Sequence, residues 1–276
     1  MRFVLPFITL LITSQLALAQ PSKPNLDQVQ QLISATGLDK HIQQIPDALH
    51  KTADNPGNPA SSFVSPLMKS LVSVFDPQEM LEILAKDLMQ RLDVPTLLDA
   101  MTWYRSDNAK ALIGARQHAT KPETLQKMGE VLASQQTSAS PERLKLLKHM
   151  SDSTKANDIA LDMMVNLQAA FMTGLGTMIA PNQTQSFKQV HSSFEATKSM
   201  MQDKISEQLL LQQSVALETV SNDTIKEFLT FADSPSGKKL FTALRASLDY
   251  TVQTVAIRVP EAVKAQQVKT TPSTNQ

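Results

Sequence analysis

Two stretches of this chain, Trp103-Tyr104-Arg105-Ser106-Asp107-Asn108-Ala109-Lys110-Ala111-Leu112 and Phe231-Ala232-Asp233-Ser234-Pro235-Ser236-Gly237-Lys238-Lys239-Leu240, carry one pattern at one constant spacing. An aromatic residue, a serine, a small residue, a lysine and a leucine coincide in order. In the second copy Ser234 suits a helix N-cap and Pro235 the first helical position. The hydroxyl accepts a free backbone N–H, and proline lacks only a donor that a helix start does not use. Gly237 in the first turn lets a preceding helix approach closely. Upstream, Ile225, Phe228, Leu229 and Ala232 form one apolar stripe. Downstream, Leu240, Leu244, Leu248, Val252, Val255 and Val259 hold a helical period as far as Pro260. The pattern therefore predicts two helices meeting at a tight corner. Thr96, Asp99, Met101 and Thr102 correspond to Thr224, Glu227, Leu229 and Thr230, so the match extends back through the preceding helix.

Nothing else in the chain asks for a sheet. With 42% hydrophobic residues but only 5% aromatic and 7 Gly, and no run of alternating strand residues, the expected class is all-α. The expected architecture is a helical bundle of two related halves packed together. Their boundary is the polar, uncharged stretch from Ser134 to Pro141, which leaves units over 25–135 and 141–262. Leu147, Met150 and Thr154 echo Val29, Leu32 and Thr36. Within the first unit a helix from Leu26 is expected to continue past Gly37 toward Ile45, and Asn55 to Pro59 reads as a loop. Asp76-Pro77-Gln78-Glu79 reads as a capping box, and Thr120-Lys121-Pro122-Glu123 as a second such start. From Met163 to Phe187 there is no charge. Asn166, Gln168, Thr173 and Thr177 interrupt that stretch, which favours a buried core helix over a membrane span. Residues 263–276 are expected to be a disordered polar tail.

The second corner resembles the domain-of-unknown-function 2059 family of bacterial envelope proteins, in which an aromatic residue, Ser-Pro or Thr-Pro, Gly, Lys and Leu recur between two helices. Phe231, Ser234, Pro235, Gly237, Lys238 and Leu240 fit that pattern, and the resemblance is best over 205–250. The first corner, with Trp103 and Ser106, departs from it in Asp107 for the proline and Ala109 for the glycine. The resemblance implies an all-helical protein of a Gram-negative cell, with two divergent copies, and it carries no catalytic residues.

Export is expected independently of that resemblance. Arg2, the apolar run Phe3 to Ile12 and Ala17-Leu18-Ala19 form a cleavable leader over residues 1–19, and no cysteine follows to accept a lipid. With the Gram-negative cell that the resemblance implies, the expected compartment is the periplasm, with no stable membrane span after cleavage. The absence of cysteine excludes disulfides and thiol chemistry. The 26 basic and 26 acidic residues, without a basic stripe, argue against nucleic acid as a partner. The histidines at 41, 50, 118, 149 and 191 make no metal-binding pair at helical spacing, and no nucleophile elbow, phosphate loop or zinc-protease motif occurs. No cofactor is expected. Met163, Met164, Met172, Met178, Met200 and Met201 form no Met-x-Met cluster for copper, and suit an adaptable apolar surface. The expected function is thus a non-enzymatic binding or interaction module for a hydrophobic ligand or polypeptide. The alternative is a periplasmic hydrolase or transferase whose site is assembled between the two halves. The corner itself reads as structural. Mass spectrometry of the protein recovered from cells is expected to find Gln20 as its first residue; an intact Met1 would refute cleavage.

Overall fold

The structure, a computed structural model, describes residues 23–47, 49 and 61–270. The leader, the loop at 55–59 and residues 271–276 lie outside them. Every regular element among the described residues is a helix. Besides a short helical stretch at 45–47, in chain order they are α1 (Leu26–Thr36), α2 (Leu38–Gln43), α3 (Ser61–Val74), α4 (Pro77–Arg91), α5 (Val94–Tyr104), α6 (Asp107–His118) and α7 (Pro122–Ser134). There follow α8 (Pro141–Ser153), α9 (Ala156–Ile179), α10 (Phe187–Glu195), α11 (Lys198–Ala216), α12 (Asn222–Ala232), α13 (Pro235–Ala256) and α14 (Val259–Thr270).

Side-chain caps set most of the starts. Asp76, Asp93, Ser106, Ser140, Ser186, Ser221 and Ser234 each sit in extended backbone and accept the N–H three residues on, satisfying a donor that the first turn leaves free. Pro lies in the first turn of α4, α5, α8 and α13.

Three boundaries and one cap differ from expectation. The first helix does not pass Gly37, which adopts φ 75° and ends α1 there, with its N–H donating to the Ser34 carbonyl. The box at Asp76 is only half made: Asp76 accepts from the Glu79 N–H, but the Glu79 carboxylate turns to Arg258 at 2.9 Å. α7 starts after Lys121 with no side-chain cap, because the Thr120 hydroxyl donates instead to the Gln117 carbonyl. The last long helix breaks at Ile257–Arg258, and α14 runs on to Thr270 where a disordered tail was expected from 263. Val259 and Val263 hold α14 in place by seating on α9 opposite Gly174, where an added Cβ would come within 2.9 Å of Val259.

α13 is the centre of the bundle. It lies against α4 and α5 on one side and α9 on another, and α12 folds back onto its start. Leu240, Phe241, Leu244, Val252, Val255 and Ala256 are all buried along it. One apolar core runs through the molecule, taking Val29, Leu32, Leu84 and Leu88 from early helices and Leu147, Ile225, Leu240 and Val255 from late ones. At roughly 1.5–3 kcal/mol for each large apolar side chain fully buried, this shared core is the main stabilising term. α9 lies across it with α3, α10, α11 and α14 as further neighbours.

Candidate functional site

The two corners meet each other. Trp103 stacks on Phe231, with ring centroids 5.9 Å apart and planes 13° from parallel, and Phe228 and Phe241 close the cluster edge-on. Ser106 caps α6 at the Ala109 N–H and Ser234 caps α13 at the Gly237 N–H. Asn108 of the first corner donates to Glu227 and accepts from Thr224, while Ser236 of the second donates to Asp99 at 2.5 Å. Each corner's first turn is thus bonded to the helix that leads into the other. Ala109 and Leu240 are buried, and Pro235 is exposed at the start of α13. The corners differ at their crossings: a Cβ on Gly237 would lie 2.1 Å from the Phe231 carbonyl oxygen and 2.8 Å from the Ala232 Cα, whereas Ala109 carries its Cβ without a break in α6.

Lys238 is exposed in the first turn of α13. With Arg91, Lys239 and Thr242 it lines an open groove of about 480 Å³. Its neighbours are already engaged, Arg91 with Asp87 and Lys239 with Asp93. Hydrogen bonds from Lys239 and Thr96 hold the Asp93 carboxyl well below its ordinary range. The groove is a solvated set of local pairs, each of small energetic consequence.

The more unusual arrangement lies on α9. Asp158, Asp162 and Asn166 stand at i, i+4 and i+8 and face Arg245, Asp249 and Gln253 at the same spacing on α13. The Arg245 guanidinium reaches Asp162 at 2.7 Å and Asp158 at 2.9 Å, Lys198 from α11 closes on Asp162, and Asn166 donates to Asp249 at 2.8 Å. Gln253 donates to the same carboxylate at 3.0 Å. Burial alone would raise the Asp162 pKa, but hydrogen bonds from Arg245 and Lys198 outweigh it and hold the carboxyl below its ordinary value. Lys198 is raised: burial opposes its charge, and Asp162 and Glu195 restore it. A carboxylate so saturated with donors fixes helix register and is a poor proton acceptor. Asn166 is fully buried, and its side-chain oxygen has no hydrogen-bond partner.

The opposite side of α9 is apolar and only partly covered. By length and composition Ala156–Ile179 could cross a membrane, yet less than half of its most apolar window is buried. Met172 is 45% and Ile179 64% exposed, and Phe171, Leu175 and Met178 are half-buried beside them. Gln267 donates to the Met178 carbonyl, which places Val268, 77% exposed, at the same end. Thr173 and Thr177 face inward and donate to carbonyls one turn back, so their hydroxyls are satisfied within the helix.

The seam on α9 and α13 escaped sequence reasoning, although a polar residue at every fourth position of an otherwise apolar helix was a visible signal. Which partner each would take was not visible, because Lys198 and Arg245 come from helices distant in sequence. Among the described residues no group of three or more histidine or acidic side chains is placed to hold a metal ion. Comparison with family models, curated proteins and solved structures gives no match for this chain.

Gly237→Ala is expected to lower stability by about 1–3 kcal/mol, since the neighbour that must move is backbone, whereas Ala109→Gly should cost about 1 kcal/mol through chain entropy and the loss of one buried methyl. Denaturant unfolding of both variants checks the asymmetry, and equal effects would contradict it. Asp162 contributes stability above its unfolded pKa that is lost as pH falls through its depressed folded pKa. Asp162→Asn should therefore cost about 3 kcal/mol near neutral pH, the low end for breaking a buried pair because Lys198 and Arg245 reach water. The gap to the native chain should narrow in acid; a gap constant with pH would refute the pairing.

Proposed function

We propose that this chain is a non-enzymatic binding module of the bacterial envelope, exported to the periplasm and built from two divergent copies of a unit like the domain-of-unknown-function 2059 family. Its ligand is a hydrophobic molecule or an apolar segment of a polypeptide. The observation that carries this reading is the uncovered apolar face of α9. A helix without charge from Met163 onward turns its polar residues inward, where Asn166 donates to Asp249 and Thr173 and Thr177 donate to carbonyls one turn back, and leaves Met172 and Ile179 toward solvent. A contiguous exposed apolar surface marks a contact site, and methionine lets such a surface adapt to varied partners. The copy relationship is supported by the corner pattern and by the reciprocal bonds Asn108–Glu227 and Ser236–Asp99, which join equivalent positions of the two stretches in opposite senses.

The test uses the mature chain and an apolar fluorescent probe such as anilinonaphthalene sulfonate, with mass spectrometry of co-purifying lipid and peptide. The double variant Met172→Lys/Ile179→Lys is expected to bind the probe at least tenfold more weakly with an unchanged melting temperature, and to lose whatever apolar species co-purifies. Undiminished probe binding by the folded variant would overturn the assignment of this face.

A further inference from the structure

α7 is attached to the molecule differently from every other long helix. None of its residues is buried. It lies chiefly along α11, touching it with a single half-buried stripe, Thr124, Met128, Val131 and Leu132, while Leu125 is 52% exposed. The contrast is with the far end of α13, where Thr251, Val252, Val255 and Ala256 are all buried. Two polar contacts hold α7 and its exit. Lys127 pairs with Glu218 at 2.6 Å with both side chains about half exposed, and the Thr137 and Ser214 hydroxyls meet at 2.8 Å. Both ends are built to turn. Lys121 caps the start without a side-chain bond, and Gln135 leaves the helix with φ 55°, followed by a non-helical link to α8. Where α7 leans away from the body a groove of about 280 Å³ opens, lined by Thr124 and Lys127 on one wall and by Ala115, Val215 and Ala216 on the other.

A helix with little buried surface and few tethers opens at a free energy well below that of global unfolding. We propose that α7 is a displaceable cover, and that the α11 surface beneath it is a docking site for an amphipathic helix of a partner polypeptide. The occupant's chemistry is given by the occupant present. The surface accepts an apolar stripe at i, i+3 and i+4 (Met128, Val131 and Leu132), preceded one turn earlier by Thr124 and flanked by a cation opposite Glu218, which is the pattern of helix-in-groove recognition. The partner competes with α7, so the intramolecular helix sets the affinity that a client must exceed. This surface is separate from the face at Met172 and Ile179, so either reading can fail while the other stands.

The chain has no cysteine, so a single engineered pair reports cleanly. In Thr137→Cys/Ser214→Cys the hydroxyls that touch become a disulfide that pins the exit of α7 to α11, and reduction frees it. Lys127→Glu places like charges opposite each other and weakens α7 docking. The probe is a fluorescently labelled peptide of residues 120–136 of this chain. Hydrogen-exchange mass spectrometry of the native chain is expected to show α7 amides exchanging at least 100-fold faster than those of α13. Lys127→Glu should bind the peptide at least tenfold more tightly than the native chain, and the oxidised cysteine pair at least tenfold more weakly than its reduced form. Exchange of α7 in step with α13, equal peptide binding by the oxidised and reduced pair, or no peptide binding by a folded Lys127→Glu chain would each overturn the proposal.

Discussion

The approach of one backbone to another at Gly237 is the constraint on which the rest of the bundle depends. The carbonyl of Phe231 lies where a side chain would begin, so the end of α12 folds back on the start of α13 with backbone directly against backbone. That contact sets the direction in which α13 leaves the corner. α13 then meets α4 and α5 on one flank and α9 on another, and the core closes around it. The stack of Trp103 on Phe231 ties the first corner to the same point, with a stabilisation of about 0.5–1.5 kcal/mol beyond the area it buries.

α9 shows how polar groups inside a core select a geometry. An apolar helix of 24 residues could settle on α13 in several registers of similar energy. Asp162 and Asn166 permit one, because in any other the carboxylate loses Arg245 and Lys198 and the amide loses Asp249, leaving buried polar groups unpaired. The same pairing decides which side of α9 is left outward, so the apolar face at Met172 and Ile179 is a consequence of the seam behind it. A structural network and a candidate binding surface are two sides of one helix.

The all-helical class, the two corners and the cap at Ser234 were legible in the chain itself. They rest on local causes: a hydroxyl reaching an N–H three residues away, a proline pre-set for a helix start, a period of 3.6 in the apolar residues. Gly37 was misread as a position a helix could pass, since glycine permits the left-handed conformation without demanding it. The tail after 262 was misread because its polar composition hides Val263, whose seat at Gly174 lies far away in sequence.

What only the tertiary structure decided is the partnering. The sequence determined where helices begin and which stripes are apolar, and by that it determined the fold class. It did not determine that Glu79 would leave its own helix start for Arg258, that Lys198 and Arg245 would share Asp162, or that α7 would remain on the outside while the end of α13 became core. Local structure follows from interactions spanning a few residues, whose geometry the chain enforces. The choice among long-range partners follows from which faces are buried together, and that is settled only when the whole core closes.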